Sequence, residues 1–376
     1  MTTILILISV IYLILIWYFI LGWNKVSVFK IKQIPPQIQF SVIIPFRNES
    51  ENLPALLYSL SALKYPTELF EILLVNDDSE DNSKAICQDF QLKHPELQIR
   101  ILDNNRASNS PKKDAILTAI NNSKYEHIIT TDADCEVPLY WLQVFNEKIV
   151  ASDAKLIAGP VGFIESNSVS LLAKFEELDF MSLQAAGAGA FGIENPFMCN
   201  GANLCYNKNA FLEAKGFDGN DHISSGDDVF LLQKFKEKNF PIAYLKSHEA
   251  EVLTPHQPNF SSLVSQRLRW AAKSSAYTSN FAKLTGITVL LMNFCLSIGI
   301  LFSITGLLSY RAILLCFLIK FYMDLILIFK WSNFFQKNDV LKHYIWCSII
   351  YPFFTSYIAI MSLFSGFEWK GRVFKK

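Results

Sequence analysis

His127-Ile-Ile-Thr-Thr-Asp-Ala-Asp134 runs from β-branched residues straight into two carboxylates placed one residue apart. Its first four residues read as a short strand, and three similar runs precede it: Ser41-Val-Ile-Ile-Pro45, Ile72-Leu-Leu-Val75 and Ile99-Arg-Ile-Leu102. Helix-like stretches lie between them, around Leu53 to Leu63, Asp81 to Phe90 and Lys113 to Ile120. Strands alternating with helices of this length predict an α/β fold with a mostly parallel sheet and helices on both faces. Ligands of such sheets bind beyond the carboxyl ends of the strands. The polar residues of this chain collect there: Pro45-Phe-Arg-Asn-Glu49 after the first strand, Asn76-Asp-Asp-Ser79 after the second and Asp132-Ala-Asp134 after the fourth.

The regions outside this pattern are of another material. The 376 residues are 51% hydrophobic and 18% charged, with 34 basic and 34 acidic side chains. The zero sum hides a segregation, for nothing before Lys25 is charged. From Leu284 onward nine basic residues face three acidic ones, leaving residues 24 to 283 at −6 and the tail at +6. Apolar and aromatic content of this order excludes a disordered chain. An acidic middle argues against a nucleic-acid partner.

Ile4 to Trp23 is uncharged and long enough to cross a bilayer core, which needs about 20 helical residues. It lacks the basic start and small-residue cleavage site of a signal peptide, and reads as a retained anchor. Lys25, Lys30 and Lys32 follow, which by the positive-inside tendency places the middle region in the cytoplasm. Leu284 to Leu308, Ala312 to Phe329 and Tyr344 to Phe364 are further apolar runs. The second of these carries Lys320 and Asp324, an i,i+4 spacing that allows an ion pair within a bundle. Three spans after a cytoplasmic domain would send Lys370, Arg372, Lys375 and Lys376 to the far side, against the same tendency. The conflict lifts if one of the three is re-entrant or lies flat, and the sequence leaves open which. Seven scattered cysteines form neither a disulfide framework nor a zinc pattern and read as buried thiols.

Carboxylates gathered at one rim repel one another unless a cation sits among them. Asp-x-Asp after a strand puts two on one face, suited to an oxygen-ligated Mg²⁺ or Mn²⁺ that completes its shell with substrate phosphates. Alone, such a motif more often caps a helix or solvates a turn. Ser224-Ser-Gly-Asp-Asp228 opens a helix over Val229 to Lys238, where acids are favourable as caps. Gln266-Arg-Leu-Arg-Trp270 lies in a basic amphipathic segment of interfacial type. His256 lies between these two motifs without a spaced partner. Each feature has a bland explanation; their order does not.

From Ser41 to about Trp270 that order resembles the family 2 glycosyltransferases of the GT-A fold, in the branch that also carries an acidic pair and Gln-x-x-Arg-Trp. The resemblance implies that Phe46, Glu49 and Asp78 hold the nucleotide base and ribose. It places Lys113, in Pro111-Lys-Lys-Asp-Ala115, near base and phosphates; Lys112 stands where the family often has glycine, so two lysines compete for that role. Asp132 engages ribose and diphosphate and Asp134 the metal. Asn200 and Asn203 lie under donor sugar and acceptor, Asp228 is the general base, and Gln266, Arg269 and Trp270 meet diphosphate and acceptor. A divalent metal (Mn²⁺ or Mg²⁺), a nucleotide-sugar donor, UDP-linked by family preference, and a lipid or glycan acceptor at the membrane complete the expectation. One base implies direct displacement with inversion.

The organisation expected is an anchor over 1–23, a linker over 24–40, the GT-A domain over 41–260, an amphipathic segment over 261–283, apolar spans over 284–365 and a basic tail over 366–376. The implied location is the cell membrane, of bacterial inner-membrane type, with the catalytic domain cytoplasmic. A processive synthase that exports its product, and a transporter or scaffold that only binds nucleotides, are the competing readings.

Overall fold

The computed structural model describes residues 2–165, 170–274, 276–364, 366–369 and 372–374. Numbered along the chain, the helices are α1 (Thr2–Lys25), α2 (Leu53–Ser61), α3 (Ser83–Lys93), α4 (Pro111–Asn122), α5 (Trp141–Ser152), α6 (Leu171–Gly192), α7 (Lys208–Glu213), α8 (Asp227–Glu237), α9 (Phe260–Ser274), α10 (Asn280–Ile304), α11 (Tyr310–Phe334) and α12 (Tyr344–Phe364). The strands are β1 (Phe40–Phe46), β2 (Phe70–Asn76), β3 (Gln98–Asp103), β4 (His127–Thr130), β5 (Leu156–Ala158), β6 (Val161–Phe163), β7 (Leu204–Asn207), β8 (Ile242–Tyr244), β9 (Val252–Thr254), β10 (Phe367–Trp369) and β11 (Arg372–Phe374). They form two compact units. A sheet unit comprises Ser27–Ile164 and Met198–Pro255, and a helical unit comprises Met1–Val26, Glu165–Phe197 and His256–Lys376.

In the sheet unit seven strands lie in the order β3-β2-β1-β4-β7-β5-β8. The four strands read from the sequence are its parallel half. All seven residues of β2 and six of the seven of β1 are buried, which is why these strands read as unbroken apolar runs rather than alternating ones. β7 runs antiparallel to both β4 and β5, and β8 is parallel to β5. β6 and β9 pair separately. The expected mostly parallel α/β sheet is therefore present. The stretch before β1 is held to α5: Glu147 accepts from the backbone N–H groups of Lys32 and Ile34, and Asn146 from those of Gln37 and Ile38.

In the helical unit α6, drawn from inside the expected 41–260 domain, packs along α1. A Cβ at Gly22 would overlap the Gly189 carbonyl oxygen, and one at Gly192 would overlap that of Gly22, so the two backbones touch. Small residues let apolar helices approach this closely. α11 runs parallel to α1, with Trp331 against Trp23 at 5.6 Å and Lys330 donating to Asn24. α10 runs the other way, Phe281 meeting Phe19 and Met292 meeting Ser9. Lys320 and Asp324 form the i,i+4 pair that their spacing allows, and Tyr12 donates to the same carboxylate at 2.6 Å. Among the described residues four helices are long and apolar enough to cross a membrane: α1, α10, α11, and α12 with the turn before it. α10 begins four residues before the apolar run read from sequence, because Ser279 caps it through Ala282 N–H at 3.3 Å. In the basic tail, Arg372 lies in a short strand, whereas Lys370, Lys375 and Lys376 fall outside the described residues.

Gly189→Leu should force α1 and α6 apart, at a cost of about 1–3 kcal/mol for overpacking. The thermal midpoint of the detergent-solubilised protein should fall, whereas Gly286→Leu, at a position with open space, should leave it unchanged. Equal midpoints for both would show that the backbone contact carries no stability.

Candidate active site

Connections from β1 run to β2 and β3 on one side, while β4 lies on the other, so the strand order reverses between β1 and β4. A parallel sheet opens a crevice beyond the strand ends at such a point. β4 ends at Thr130 and the chain turns outward with period two: Thr131, Ala133 and Cys135 are buried, Asp132 and Asp134 half-buried toward the rim. Because β7 is antiparallel, it begins where β4 ends, with Leu204 opposite Thr130. The turn Asn200-Gly-Ala-Asn203 is thereby brought beside Asp132, and Thr130 Oγ1 fixes it by donating to the Gly201 carbonyl at 2.7 Å.

α8 arrives at this turn with Asp227 and Asp228 in its first turn, after Gly226 at φ +83°. That backbone conformation suits glycine, and the helix N-terminus favours negative charge. Asp228 Oδ2 accepts from Gly201 N–H at 3.1 Å. Between the acids sits Lys112, its Nζ 2.7 Å from Asp132 and 3.3 Å from Asp227. Burial alone would push this ammonium down, but Asp132 and Asp227, with Asp228 adding, hold it well above the usual lysine range. A Cβ on Gly201 would stand 2.8 Å from Asp227 Oδ2 and 3.6 Å from Lys112 Nζ, so only glycine leaves room for the pair.

Opposite, across the ends of β1 and β2, a second charged group is built around Asp77. Its carboxylate accepts from Asn104 and from Arg106 Nε, both at 2.7 Å, while Arg106 Nη2 pairs with Asp78 at 2.9 Å. Asp78 is exposed and sits at φ +53°, a left-handed conformation that Asp tolerates better than most residues. Arg47 donates to the carbonyls of Asp77 and Asp78 and so braces this turn. Glu49 is buried and accepts from Asn52 at 2.7 Å. Phe46 is 3% exposed; its carbonyl, accepting from Asp77 N–H at 2.9 Å, ties β1 to the turn.

Two expected substrate contacts are placed elsewhere. Lys113 is 1% exposed, donates to the carbonyls of Asn220 and Ile223 at 2.6 and 2.9 Å, and lies over the Phe230 ring. Consecutive helical residues point about 100° apart. Lys113 shares the inward stripe with Ile116 and Ile120, and Lys112 is the lysine turned to the acids. Asn203 is fully buried; its amide donates to Pro160 and Ala250 carbonyls, both at 2.7 Å, and its oxygen accepts from Trp141 Nε1 at 2.9 Å. A side chain so engaged braces the turn from beneath. Asn200 accepts from Ala202 N–H at 3.1 Å and remains half-buried at its start. Arg106 is the participant that sequence reading did not single out; of the two competing lysines Lys112 is the one at the acids, and Asp227 stands beside Asp228 in the acidic pair read as a helix start.

Gln266, Arg269 and Trp270 belong to the helical unit, half-buried on α9. Arg267 between them is buried and donates Nε to Asp179 of α6 at 2.7 Å. Its guanidinium stacks 4.3 Å over Trp270 and donates to Gln266. His256 pairs with Glu176 at 3.1 Å in the same unit.

Among the described residues no three His, Cys, Asp or Glu side chains converge as a metal cage. Burial pushes the Cys135 thiol well up, with Asp134 and Asp132 adding, so it stays protonated and offers no thiolate. What remains is a pair of hard oxygen donors, Asp132 and Asp134, in a place that already accommodates the Lys112 ammonium. This donor set fits Mg²⁺ or Mn²⁺, which take one or two carboxylates and draw their other ligands from phosphate and water.

Known proteins resemble the chain in the same regions. Residues 41–201 match the family profile for glycosyl transferase family 2, and residues 127–360 that for glycosyl transferase family group 2. Glycosyltransferase AglE of Haloferax volcanii is 24% identical over 229 residues, covering 61% of this chain and 70% of its own length. A poly-beta-1,6-N-acetyl-D-glucosamine synthase of Staphylococcus epidermidis is 27% identical over 241 residues, 61% of this chain but only 53% of the synthase. The mannosyltransferase PcManGT from Pyrobaculum calidifontis, solved with GDP-Man and Mn²⁺, superposes with a TM-score of 0.57 at 14% identity, over 96% of this chain and 99% of its own. That likeness is one of fold, here the GT-A fold. With a profile spanning more than half of its length, the chain belongs to the family 2 glycosyltransferases.

Proposed function

We propose that this enzyme is a membrane-bound inverting transferase that moves a sugar from a nucleoside diphosphate to a hydroxyl of a lipid, lipid-linked or glycan acceptor. The observation that carries the reading is the cluster of Asp132, Asp227 and Asp228 around Lys112 at the strand-order reversal. Asp228 is the base, for it stands at a helix N-terminus and is oriented by Gly201 N–H. Deprotonating an acceptor hydroxyl there makes it the nucleophile, and one displacement inverts the anomeric carbon. Asp78, Glu49 and Phe46 border the base and ribose. Lys112 takes the phosphate-side role that the resemblance gave to a lysine. Asp134, with Asp132, would hold a divalent cation, which when bound neutralises charge on the departing diphosphate. PcManGT with Mn²⁺ supports that cofactor. Arg269 is proposed as a diphosphate clamp and Trp270 as a flat wall for sugar or acceptor, alongside Gln266. The lysines after α1 favour a cytoplasmic catalytic face, and the four apolar helices favour an acceptor at the membrane.

Likeness to the poly-N-acetylglucosamine synthase supports a second reading, repeated extension of a glycan. The chain spans about half the length of that synthase.

Membranes containing the protein, given a panel of labelled nucleotide sugars with Mn²⁺ or Mg²⁺, should move one label into the lipid or glycan fraction. A ladder of product lengths would favour extension, and no transfer from any donor would remove the proposal. Asp228→Asn should lose about 10²–10⁴-fold in turnover, the usual worth of a positioned base, while still binding the donor; full activity would sink the mechanism. Asp134→Ala should weaken metal-dependent donor binding itself, read by calorimetry with and without Mn²⁺. Lys112→Met leaves Asp132 and Asp227 without their shared counter-ion. Its thermal midpoint should drop and be partly restored by Mn²⁺ but not by Na⁺; indifference to both would show that the ion pair is incidental.

A further inference from the structure

Lys320 and Asp324 sit near the middle of α11, among apolar residues where a charge is costly and by default functional. They do not only neutralise each other. Beside them α6, α11 and α12 line a half-open cavity of about 40 Å³, bordered also by Asp179, Ser182, Tyr344 and Ser348, room for about three water molecules.

The polar groups facing this space have a definite balance. Lys320 carries three N–H donors and, among the described residues, Asp324 is its one acceptor, the ammonium otherwise lying over the rings of Tyr12 and Tyr351. Ser182, Ser348 and Tyr344 spend their hydroxyl protons on the carbonyls of Asp179, Ile345 and Phe321, each at 2.7 Å, and keep oxygen lone pairs for a guest. The charges cancel, Lys320 against Asp324 and Arg267 against Asp179. A phosphate, which only accepts, would meet two carboxylates and mostly acceptor oxygens. An ammonium headgroup would meet Lys320. A hydroxyl group both donates and accepts, carries no charge, and suits the tyrosine faces.

We propose that this cavity binds the hydroxyl groups of an uncharged, polyhydroxylated headgroup of a membrane amphiphile, two or three hydroxyls entering in place of water. Such a headgroup belongs either to the acceptor or to a lipid held permanently in the bundle. The inference rests on the membrane-embedded reading of these helices and stands apart from the transfer reaction.

The full-length protein, reconstituted in phosphatidylcholine vesicles carrying monoglucosyldiacylglycerol, phosphatidylglycerol or phosphatidylethanolamine, is re-extracted and its retained lipids counted by native mass spectrometry. The glucosyl lipid should be retained about ten-fold better than the others, some 1.4 kcal/mol. Ser182→Leu fills the cavity without changing charge and should abolish the preference, as should the paired Lys320→Met and Asp324→Leu, which removes donor and acceptor together. Equal retention of the anionic or amine lipid, or an undiminished preference in a folded Ser182→Leu protein, overturns the proposal. Asp228→Asn should retain the lipid as the unaltered protein does, so loss of transfer and loss of binding are read separately. Sugar transfer to the retained lipid, lost in Ser182→Leu, identifies it as acceptor; retention lost with transfer unchanged identifies a resident lipid.

Discussion

The rim of the sheet is held by one ammonium group. Lys112 from the first turn of α4 reaches Asp132 after β4 and Asp227 at the head of α8. Two like unit charges about 4 Å apart repel by about 4 kcal/mol at an effective dielectric near 20, so carboxylates from separate elements would not collect without a cation between them. The same ion pair fixes where α8 begins, and so where Asp228 meets Gly201. The absence of a side chain at Gly201 follows from it, since any Cβ would crowd the Asp227 oxygen. Local stability at this turn is a matter of charge, for one ammonium serves Asp132, Asp227 and Asp228 and leaves a negative excess among them.

The parallel half of the sheet was legible because β1 and β2 are buried on both faces and leave continuous apolar runs. The remaining strands were not, for β5, β6, β8 and β9 have three residues each and no pattern can be read over so short a span. The acidic positions were legible as chemistry, their partners only in part. Lys112 and Lys113 are adjacent and identical in type, and the difference between them is helical phase: Lys113 falls in step with Ile116 and Ile120, a signal the sequence does contain. Asn203 looked like a ligand because it ends a motif, whereas its three hydrogen bonds join segments from Trp141, Pro160 and Ala250 that no local reading brings together. Arg106 was hidden for the same reason, its two aspartates lying almost thirty residues earlier.

The motif on α9 shows a division of labour between neighbouring arginines. Arg267 is buried, tied to Asp179 and stacked on Trp270, while Arg269, two residues on and about 200° round the helix, is half-buried. A guanidinium can serve both purposes because it is planar, always charged and able to stack. The inward arginine orients the tryptophan and the glutamine. A lysine at position 267 could replace the charge but neither the stacking nor the fork.

The segmentation of the chain has a practical corollary. The polypeptide passes between the helical and sheet units at 26/27, 164/165, 197/198 and 255/256. A fragment cut after the first apolar helix and before α10 would keep α6 and lose α1, baring the glycine backbone surface at Gly189 and Gly192 to water. Its insolubility would then come from a severed helix pair, not from the sheet. A soluble catalytic fragment calls for replacing 165–197 and its apolar face rather than for trimming the two ends.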